Sequence, residues 1–247
     1  MIEIEGLVRR FGSLTAVGGI SLRVAKGEVL GFLGPNGAGK STTMKMITGF
    51  LAPSEGRITV CGHDVVEAAF QAQSAIGYLP EGAPAYPDMT PVQFLNFIAQ
   101  VRGLKDEAAK KAIDTAVART GLHGVLDQRI ETLSKGFKRR VGLAQAILHN
   151  PPVLIMDEPT DGLDPNQKQS VRNLIRAMSP EKAIIISTHI LEEVEAVCSR
   201  AVIIDKGRIV ADGTPAELLA KSPSRRLDDV FRALTTPDAE IKAEAAT

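Results

Sequence analysis

Tryptophan is absent from this chain of 247 residues, and only two cysteines and two tyrosines are present. Cys61 and Cys198 lie far apart in the sequence and in no spacing typical of metal ligands. This scarcity is typical of a protein of the reducing cytosol, where each cysteine serves as a small buried or half-buried side chain. A surplus of positive charge is also absent, because 29 basic residues balance 29 acidic ones. The balance argues against nucleic acid as a partner, since proteins that bind it usually show a basic face.

Long apolar segments are missing as well. The longest stretch without a charged residue, 141–156, contains Asn150, Pro151 and Pro152, and it is too short and too broken to span a bilayer. The N-terminal residues include two glutamates and no apolar segment, so we expect no secretory signal peptide. We therefore expect any action at a membrane to run through a partner protein.

A glycine-rich segment lies between a predicted strand and a predicted helix. Residues 34–41 match the P-loop pattern of a glycine, four residues and then Gly-Lys-Ser. Backbone N–H groups in such a loop, with the positive end of the helix dipole, form a phosphate site. Lys40 is placed to reach the β- and γ-phosphates, and Ser41 to ligate Mg²⁺. An ordinary glycine-rich turn is the weaker alternative. The predicted nucleotide-binding residues here are Gly34, Pro35, Asn36, Gly37, Ala38, Gly39, Lys40, Ser41 and Thr42.

The spacing of apolar residues divides the rest of the chain. Alternating residues near the N-terminus and at 57–60 predict a small antiparallel sheet. Continuous apolar runs at 153–156 and 183–187 predict buried parallel strands, and Lys206-Gly207 predicts a hairpin turn. Helical spacing prevails from about 87 to 149. These patterns predict an α/β core interrupted by a helical insertion.

The same patterns give approximate boundaries. We expect a nucleotide-binding domain over residues 1–220, and its parts are a nucleotide core of about 1–85 and 150–220 and a helical subdomain of about 86–149. The remainder, 221–247, is a charged, alanine-rich tail for which the sequence predicts no definite structure.

Asp157 and Glu158 directly follow the predicted strand at 153–156. In a P-loop ATPase the carboxylate at this strand end helps to hold Mg²⁺, often through water. The next carboxylate is placed to act as the general base for the attacking water. An alternative is that the pair merely caps the next helix. With the P-loop upstream, we interpret Asp157 as a metal-site residue and Glu158 as the catalytic base.

Residues 133–137, Leu-Ser-Lys-Gly-Phe, open a predicted helix with Ser134 as its N-cap. Taken alone, the segment reads as a plain capped helix. Placed between the P-loop and the Asp-Glu pair, it resembles the signature segment of ABC transporter ATPases, which usually reads Leu-Ser-Gly-Gly-Gln. Lys135 replaces the first glycine and Phe137 the glutamine, whereas Ser134 and Gly136, which would face phosphate, are kept. The resemblance implies a RecA-like P-loop NTPase core with an antiparallel β subdomain and an inserted α-helical subdomain.

Further positions match this family between residues 2 and about 220. Asp164, in Gly-Leu-Asp, matches the loop that meets a partner subunit, and His189 matches the switch histidine that contacts the γ-phosphate. Phe11 lies where the family places an aromatic ring against adenine, and a core phenylalanine is the weaker alternative. Glu81 stands where glutamine is usual, which would bring an additional carboxylate close to Mg²⁺. The resemblance therefore implies Lys40, Glu158 and His189 as catalytic residues.

Four apolar residues cluster shortly after Glu81, in a chain with few aromatics: Tyr86, Met89, Phe94 and Phe97. One interpretation is that some of them line a groove for a helix of a membrane partner. The alternative is that Phe94 and Phe97 fill the helical subdomain.

The resemblance implies the ATP-hydrolysing subunit of a membrane transporter, peripheral at the cytoplasmic face and dependent on ATP and Mg²⁺. Two copies, most simply a homodimer, would bind two ATP molecules between them, and a separate permease would carry the cargo. A soluble ABC-type regulator of ribosomes or DNA is the second interpretation, but such proteins usually carry two of these domains or a long coiled coil. A binding module without catalysis is the third, and it conflicts with the intact set of Lys40, Asp157, Glu158 and His189. The segment at 133–137 and Pro80-Glu81 resemble exporter subunits of the multidrug and gliding-motility kinds.

Overall fold

The computed structural model describes residues 1–236, which contain ten strands and nine α-helices. The strands are β1 (Ile2–Phe11), β2 (Leu14–Val24), β3 (Val29–Leu33), β4 (Glu55–Val60), β5 (His63–Asp64), β6 (Ile76–Leu79), β7 (Val153–Asp157), β8 (Ala183–Thr188), β9 (Arg200–Asp205) and β10 (Arg208–Gly213). The helices are α1 (Lys40–Ile47), α2 (Ala69–Ser74), α3 (Pro91–Val101), α4 (Asp106–Thr120), α5 (Lys135–Ile147), α6 (Pro165–Met178), α7 (Leu191–Val197), α8 (Pro215–Leu219) and α9 (Leu227–Thr235).

Six strands form a mostly parallel sheet in the order β10-β9-β3-β8-β7-β6. Every residue of β3, β7 and β8 is buried, which explains their mostly apolar sequences. The predicted hairpin is confirmed, because β9 and β10 pair antiparallel around Lys206 and Gly207, both of positive φ. In the register of the sheet, Leu33 pairs with Thr188, and Asp157 pairs with Ser187. The loops that follow β3, β7 and β8 therefore leave the sheet side by side at one edge.

The predicted antiparallel sheet is also confirmed, with four strands in the order β2-β1-β4-β5. Its inward residues, among them Ile4 and Ile58, share a core with Met44 of α1 and Phe32 of β3. This core holds the small sheet against the helix that follows the glycine-rich loop. The two also meet at Gly39, where an added Cβ would collide with the carbonyl oxygen of Ala16 on β2.

The segment predicted to be helical contains α3, α4 and α5. A capping box begins α3, because the Thr90 hydroxyl accepts from the N–H of Gln93 and the Gln93 side chain accepts in return. Helix α5 lies directly on the edge strand β6. A Cβ on Gly77 would collide with the carbonyl of Ala146, and one on Gly142 would come within 2.7 Å of Ala83. The two glycines thus bring α5 close to the turn that carries Glu81.

The C-terminal segment is more ordered than its composition indicates. Helix α9 buries Leu227 and Val230 against the main core, and Phe231 and Leu234 pack there in part. These four positions follow the helical spacing of i, i+3, i+4 and i+7, which the surrounding charged residues obscure. The residues of the tail after Thr236 lie outside the described part of the chain. Cys61 is half-buried and Cys198 buried, as expected from the sequence.

The aromatic cluster after Glu81 divides between core and surface. Phe94 is only 4% exposed and fills the helical segment, as the alternative interpretation held. Tyr86 is 53% exposed, and its ring packs edge-on against Phe94 and Phe97. Phe97 is 37% exposed, so it does not fill the core as Phe94 does, and the exposed parts of Tyr86 and Phe97 are available to another molecule.

Candidate functional site

The glycine-rich loop joins the end of β3 to the start of α1. Gly39 forms the N-cap of α1 with a φ of 105°, a conformation that strains any residue carrying a Cβ. At Gly34 a Cβ would collide with the carbonyl oxygen of Ile204, whereas the space around Gly37 is open. The loop is therefore held on one side by the sheet and is accessible on the other. Its first helical turn, with Ser41 and Thr42, presents the N–H groups that suit an anion.

Lys40 is the buried cation of this loop, with 8% of its surface exposed. Its Nζ donates to the carbonyl oxygens of Gly34, at 2.6 Å, and Pro35, at 3.1 Å. Burial lowers the pKa of Lys40, and the carboxylates of Glu158, Asp157 and Glu81 oppose that effect. Three acidic groups thus share the surroundings of one ammonium group, so the local charge favours an additional cation.

Glu158 lies at the exit of β7 in a left-handed backbone conformation, with a φ of 51°. Its N–H donates to the carbonyl oxygen of Ser187 at 2.8 Å. Its Oε1 lies 2.8 Å from Nδ1 of His189, and its Oε2 accepts from the Thr188 hydroxyl at 3.4 Å. The side chain of Glu158 is 14% exposed and that of His189 is 59% exposed. The carboxylate is therefore oriented by two neighbours from the end of β8.

Asp157 is the last residue of β7 and is buried, with 3% of its surface exposed. The alternative interpretation, in which Asp157 and Glu158 cap the next helix, is wrong. Helix α6 is capped by Asp164, whose Oδ1 accepts from the N–H of Gln167 at 2.9 Å. The acidic pair is consequently available for a role at the edge of the sheet.

The segment at 133–137 forms a second cluster with the loop after β7. Ser134 caps α5 as predicted, accepting from the N–H of Phe137 at 3.3 Å. A Cβ on Gly136 would lie 2.5 Å from Oε1 of Gln167 on α6. Lys135 donates to Asp161 at 2.8 Å and thereby lowers the pKa of that carboxyl group. Within residues 1–236 no hydrogen bond joins this cluster to the loop at 34–41.

Phe11 and Glu81 lie at the margins of the loop site. Phe11 ends β1 and is 46% exposed, with the guanidinium of Arg9 lying 4.6 Å from its ring centroid. The core-phenylalanine alternative is thus wrong. Glu81 is exposed in the turn after β6, and its negative charge still raises the pKa of Lys40, against the larger effect of burial.

The chemistry of these residues fits Mg²⁺ bound together with phosphate. In the part of the chain that the structure describes, no three His, Cys, Asp or Glu side chains converge as a metal site of their own. Mg²⁺ is commonly held by one or two carboxylates plus substrate phosphates rather than by a protein cage. Suitable oxygens are available in the hydroxyl of Ser41 and the carboxylates of Asp157 and Glu81. The two carboxylates belong to the acidic group that surrounds Lys40.

Two side chains of the site are missed by sequence reasoning. Thr188 contacts Glu158, and its position directly before His189 was the available signal. Arg139 is buried on α5 and donates to the carbonyl oxygens of Asp157 and Glu158. Its helical spacing from Gly136 and Gly142 places it on the buried face of α5, but no local pattern shows what it contacts.

Comparison with known proteins adds independent information. The family described as ABC transporter matches residues 17–161. The chain is 38% identical to linearmycin resistance ATP-binding protein LnrL of Bacillus subtilis over 222 residues, 90% of this chain and 71% of that protein. It is 36% identical to Nod factor export ATP-binding protein I of Paraburkholderia xenovorans over 231 residues, 93% and 76% of the two chains. A solved structure of an ATP-binding subunit of an ABC transporter superposes with a TM-score of 0.87 at 29% identity, covering 95% of this chain and 99% of that one.

Proposed function

The chain belongs to the ABC transporter family of ATP-binding subunits, and on that premise we propose that Glu158 is the general base of its ATPase reaction. The protein binds and hydrolyses ATP to power movement of a substrate through a separate permease. The observation that supports Glu158 is its carboxylate at the carboxyl edge of the sheet, held by His189 and Thr188 beside Lys40.

In this proposal the phosphates of ATP lie along the N–H groups of residues 34–42, with Phe11 against the adenine ring. Lys40 exchanges its two carbonyl acceptors for oxygens of the β- and γ-phosphates. Ser41, Asp157 and Glu81 are the residues that would hold Mg²⁺, which neutralises charge on the transferred phosphoryl group.

Glu158 then accepts a proton from the attacking water as the water oxygen bonds to the γ-phosphorus. The bond from that phosphorus to the bridging oxygen breaks, which leaves ADP and inorganic phosphate. The hydrogen bond to His189 fixes the orientation of the carboxylate during this step.

A second subunit completes the site in this scheme. Ser134 and Gly136 begin α5 in a cluster that makes no hydrogen bond to the loop at 34–41 in the described chain. We propose that they contact the γ-phosphate bound to another copy, with Asp164 in the loop between the two subunits. The proposed assembly is a homodimer that closes on two ATP molecules and opens after hydrolysis.

The membrane partner is proposed to dock in a groove of about 660 Å³ between α2, β6 and α3. Within residues 1–236 no helix has the length and apolar character needed to cross a bilayer. Phe70 and Phe50 line the groove with 80% and 75% of their surfaces exposed. Tyr78 also lines it, and burial, reinforced by Asp157 and Glu81, raises the pKa of Tyr78 to about 12. A helix of a permease on this surface would hold the subunit peripherally at the cytoplasmic face and contact the site through Tyr78.

Domain boundaries follow from the same scheme. We propose one ATPase domain over residues 1–220. In it, the helical segment at about 86–149 is the part that moves when ATP bound to the other subunit contacts Ser134 and Gly136. Helix α9 is then an addition that packs on the core.

The test of the proposed function is the variant Glu158→Gln. It keeps the volume of the side chain and can still hold a water molecule, but it cannot accept a proton at neutral pH. Hydrolysis should fall by about 10²–10⁴-fold, the usual contribution of a general base. ATP binding should persist because Lys40 and the loop are unchanged, and the variant should therefore accumulate as a dimer in size-exclusion chromatography with ATP.

The double variant Glu158→Gln, Ser134→Arg supplies the control. Bulk and charge at the start of α5 should abolish the ATP-dependent dimer, and ADP should give no dimer with either protein. Hydrolysis by Glu158→Gln near the wild-type rate would show that Glu158 is not the base. An inactive variant that never dimerises with ATP would contradict the two-copy arrangement.

A further inference from the structure

In the described part of the chain, Arg139 is buried without an acidic partner. It is 5% exposed, and it forms no ion pair within residues 1–236. Its NH1 donates to the carbonyl oxygen of Pro80 at 3.1 Å, and its NH2 donates to the carbonyl oxygens of both Asp157 and Glu158. Its Nε is buried and has no hydrogen-bond partner in the described residues. Arginine is rarely buried unless it is paired, so a guanidinium whose hydrogen bonds all go to backbone carbonyls requires an explanation.

The three carbonyl groups belong to the segments that carry the acidic residues of the site. Pro80 immediately precedes Glu81, and the other two carbonyls are those of Asp157 and Glu158 themselves. One planar group therefore joins the turn after β6 to the exit of β7. Burial lowers the pKa of Arg139, whereas nearby acidic groups, led by Asp161, oppose that effect and favour the charged form.

The backbone of Glu158 needs such support. Its φ of 51° is unfavourable for a residue with a Cβ and persists only where the surroundings enforce it. The carbonyl oxygen of Glu158 accepts from Arg139 and also from the N–H of Asp161, the latter at 3.1 Å. These contacts fix the direction in which the side chain leaves the strand.

Helix α5 links this contact to the partner-facing segment. Arg139, Gly142 and Gln145 recur every three residues and form one face of the helix. Gln145 donates to the carbonyl oxygen of Tyr78 at 2.6 Å, and Gly142 packs against Ala83. The same helix has Ser134 as its N-cap. The contacts of α5 with β6 and with the backbone of Asp157 and Glu158 therefore also fix the position of Ser134.

We propose that Arg139 is a positioning residue for Glu158. Its hydrogen bonds hold the backbone of Glu158 in the orientation that the base requires, and they fix the position of Glu158 relative to Glu81. The inference rests on the proposed role of Glu158. Arg139 touches neither the nucleotide nor the attacking water in this scheme, and it acts only through the backbone of the residue that does. Displacing a catalytic group by about 1 Å can cost about 10²-fold in rate, so loss of this hold should lower turnover without weakening ATP binding.

The test compares Arg139→Met, Arg139→Lys and the control Arg140→Met. Methionine keeps the length of the chain but donates no hydrogen bond, whereas lysine keeps the charge and can reach some of the carbonyls. Arg140 follows on the same helix, where it stacks on Phe137 and, within residues 1–236, makes only a long hydrogen bond of 3.4 Å to Gly121. For each protein, kcat and KM of the ATPase reaction, the Kd of ATP by calorimetry and the thermal unfolding temperature are measured.

The expected result is a kcat lowered by about 10–100-fold in Arg139→Met, with KM and the Kd of ATP within about twofold of wild type. Arg139→Lys should recover a clear part of that loss, and Arg140→Met should match wild type. A purely structural role would instead lower the unfolding temperature and the fraction that binds ATP while leaving kcat per binding site intact, which overturns the proposal.

Two further outcomes are decisive. If Arg139→Met does not fold, the proposal depends on Arg139→Lys, and a kcat equal to wild type in that folded variant overturns it. Glu158→Gln, measured in parallel, separates this inference from the proposed function. If Glu158→Gln hydrolyses ATP at a near-normal rate, Glu158 is not the base and the proposed function fails. If Glu158→Gln is inactive and Arg139→Met is fully active, only the positioning role of Arg139 is overturned.

Discussion

His189 Nδ1 lies 2.8 Å from Oε1 of Glu158, across the loops that leave two neighbouring strands. Because a carboxylate can only accept, Nδ1 carries the proton in this contact. The side chain of His189 is far more exposed than that of Glu158. The hydrogen bond from the histidine thus orients a carboxylate that is itself mostly buried.

His189→Ala should therefore reduce turnover more than binding. Within residues 1–236, removing the imidazole leaves the side chain of Glu158 with a single hydrogen bond, the long one from Thr188 at 3.4 Å. We expect kcat to fall by about 10²-fold, within the range of acid–base contributions, with ATP affinity changed by far less. His123→Ala, at an exposed position of the helical segment, is the matched control. An unchanged steady-state ATPase rate in His189→Ala would falsify this prediction.

Lys40→Ala should weaken ATP binding by about tenfold or more, since charged hydrogen bonds contribute about 1.5–3 kcal/mol each. Removing the ammonium group also takes away a positive charge that interacts with Glu158, Asp157 and Glu81, which further disfavours an anionic ligand. Lys45→Ala, exposed on the last turn of the same helix, controls for loss of charge. Calorimetry with Mg·ATP measures both variants, and equal affinities would remove Lys40 from the phosphate site.

Phe70→Glu should release the subunit from membranes. Phe70 projects into the groove proposed for the permease with 80% of its surface exposed, so a carboxylate there costs the free subunit little but opposes apolar docking. Val66→Glu, also exposed but outside the groove, is the control. Membrane fractions from cells that express the permease are compared, with ATP binding of the purified proteins as the check on folding. Equal retention of both variants would place the permease elsewhere.

Stability should fall on mild acidification because of His149. Its Nε2 lies 3.1 Å from the carbonyl oxygen of Ile76 and donates to it, and its buried Nδ1 has no partner in the described residues. Burial and then the charge of Arg102 lower the pKa of His149 from 6.5 to about 4. Between these values the unfolded chain binds a proton that the folded chain does not, so the free energy of unfolding decreases as pH drops through that window.

His149→Gln should flatten this pH dependence. Glutamine retains an N–H donor toward Ile76 but does not titrate. The free energy of unfolding is measured with urea at pH 7.5 and at pH 5.0. Its loss between these two pH values should be about 1–2 kcal/mol smaller in His149→Gln than in wild type, since one pKa unit corresponds to about 1.4 kcal/mol. His63→Gln, an exposed control, should leave the dependence as in wild type. Identical pH profiles for all three proteins would exclude His149 as the cause.

Much of the fold is predictable because its signals are local. The apolar run of β8, the turn at Lys206-Gly207 and the N-cap at Ser134 each depend on neighbours in sequence, and the structure confirms them. Helix α9 was missed because its apolar stripe is short and lies among charges, and its stability comes from the core it covers.

The site divides in the same way. The glycine-rich loop and the acidic pair follow from residue order alone. The contacts of Arg139 with residues 59 and 19 positions away do not, because they exist only once α5 has packed on β6. The left-handed φ of Glu158 likewise arises from tertiary contacts rather than from its own preference.

The packing of Gly136 on Gln167, with the Lys135 stem over Gly162, has a consequence for a pair of subunits. This packing joins the segment at 133–137, which is proposed to contact one nucleotide, to the loop with Gly162 and Asp164, which is proposed to lie between the subunits. A movement of one should therefore move the other. Closure around the first ATP would then pre-form the opposite site. A dimer of this design would hydrolyse ATP with a sigmoidal dependence on its concentration, and an alanine at Gly136 would disturb both sites at once.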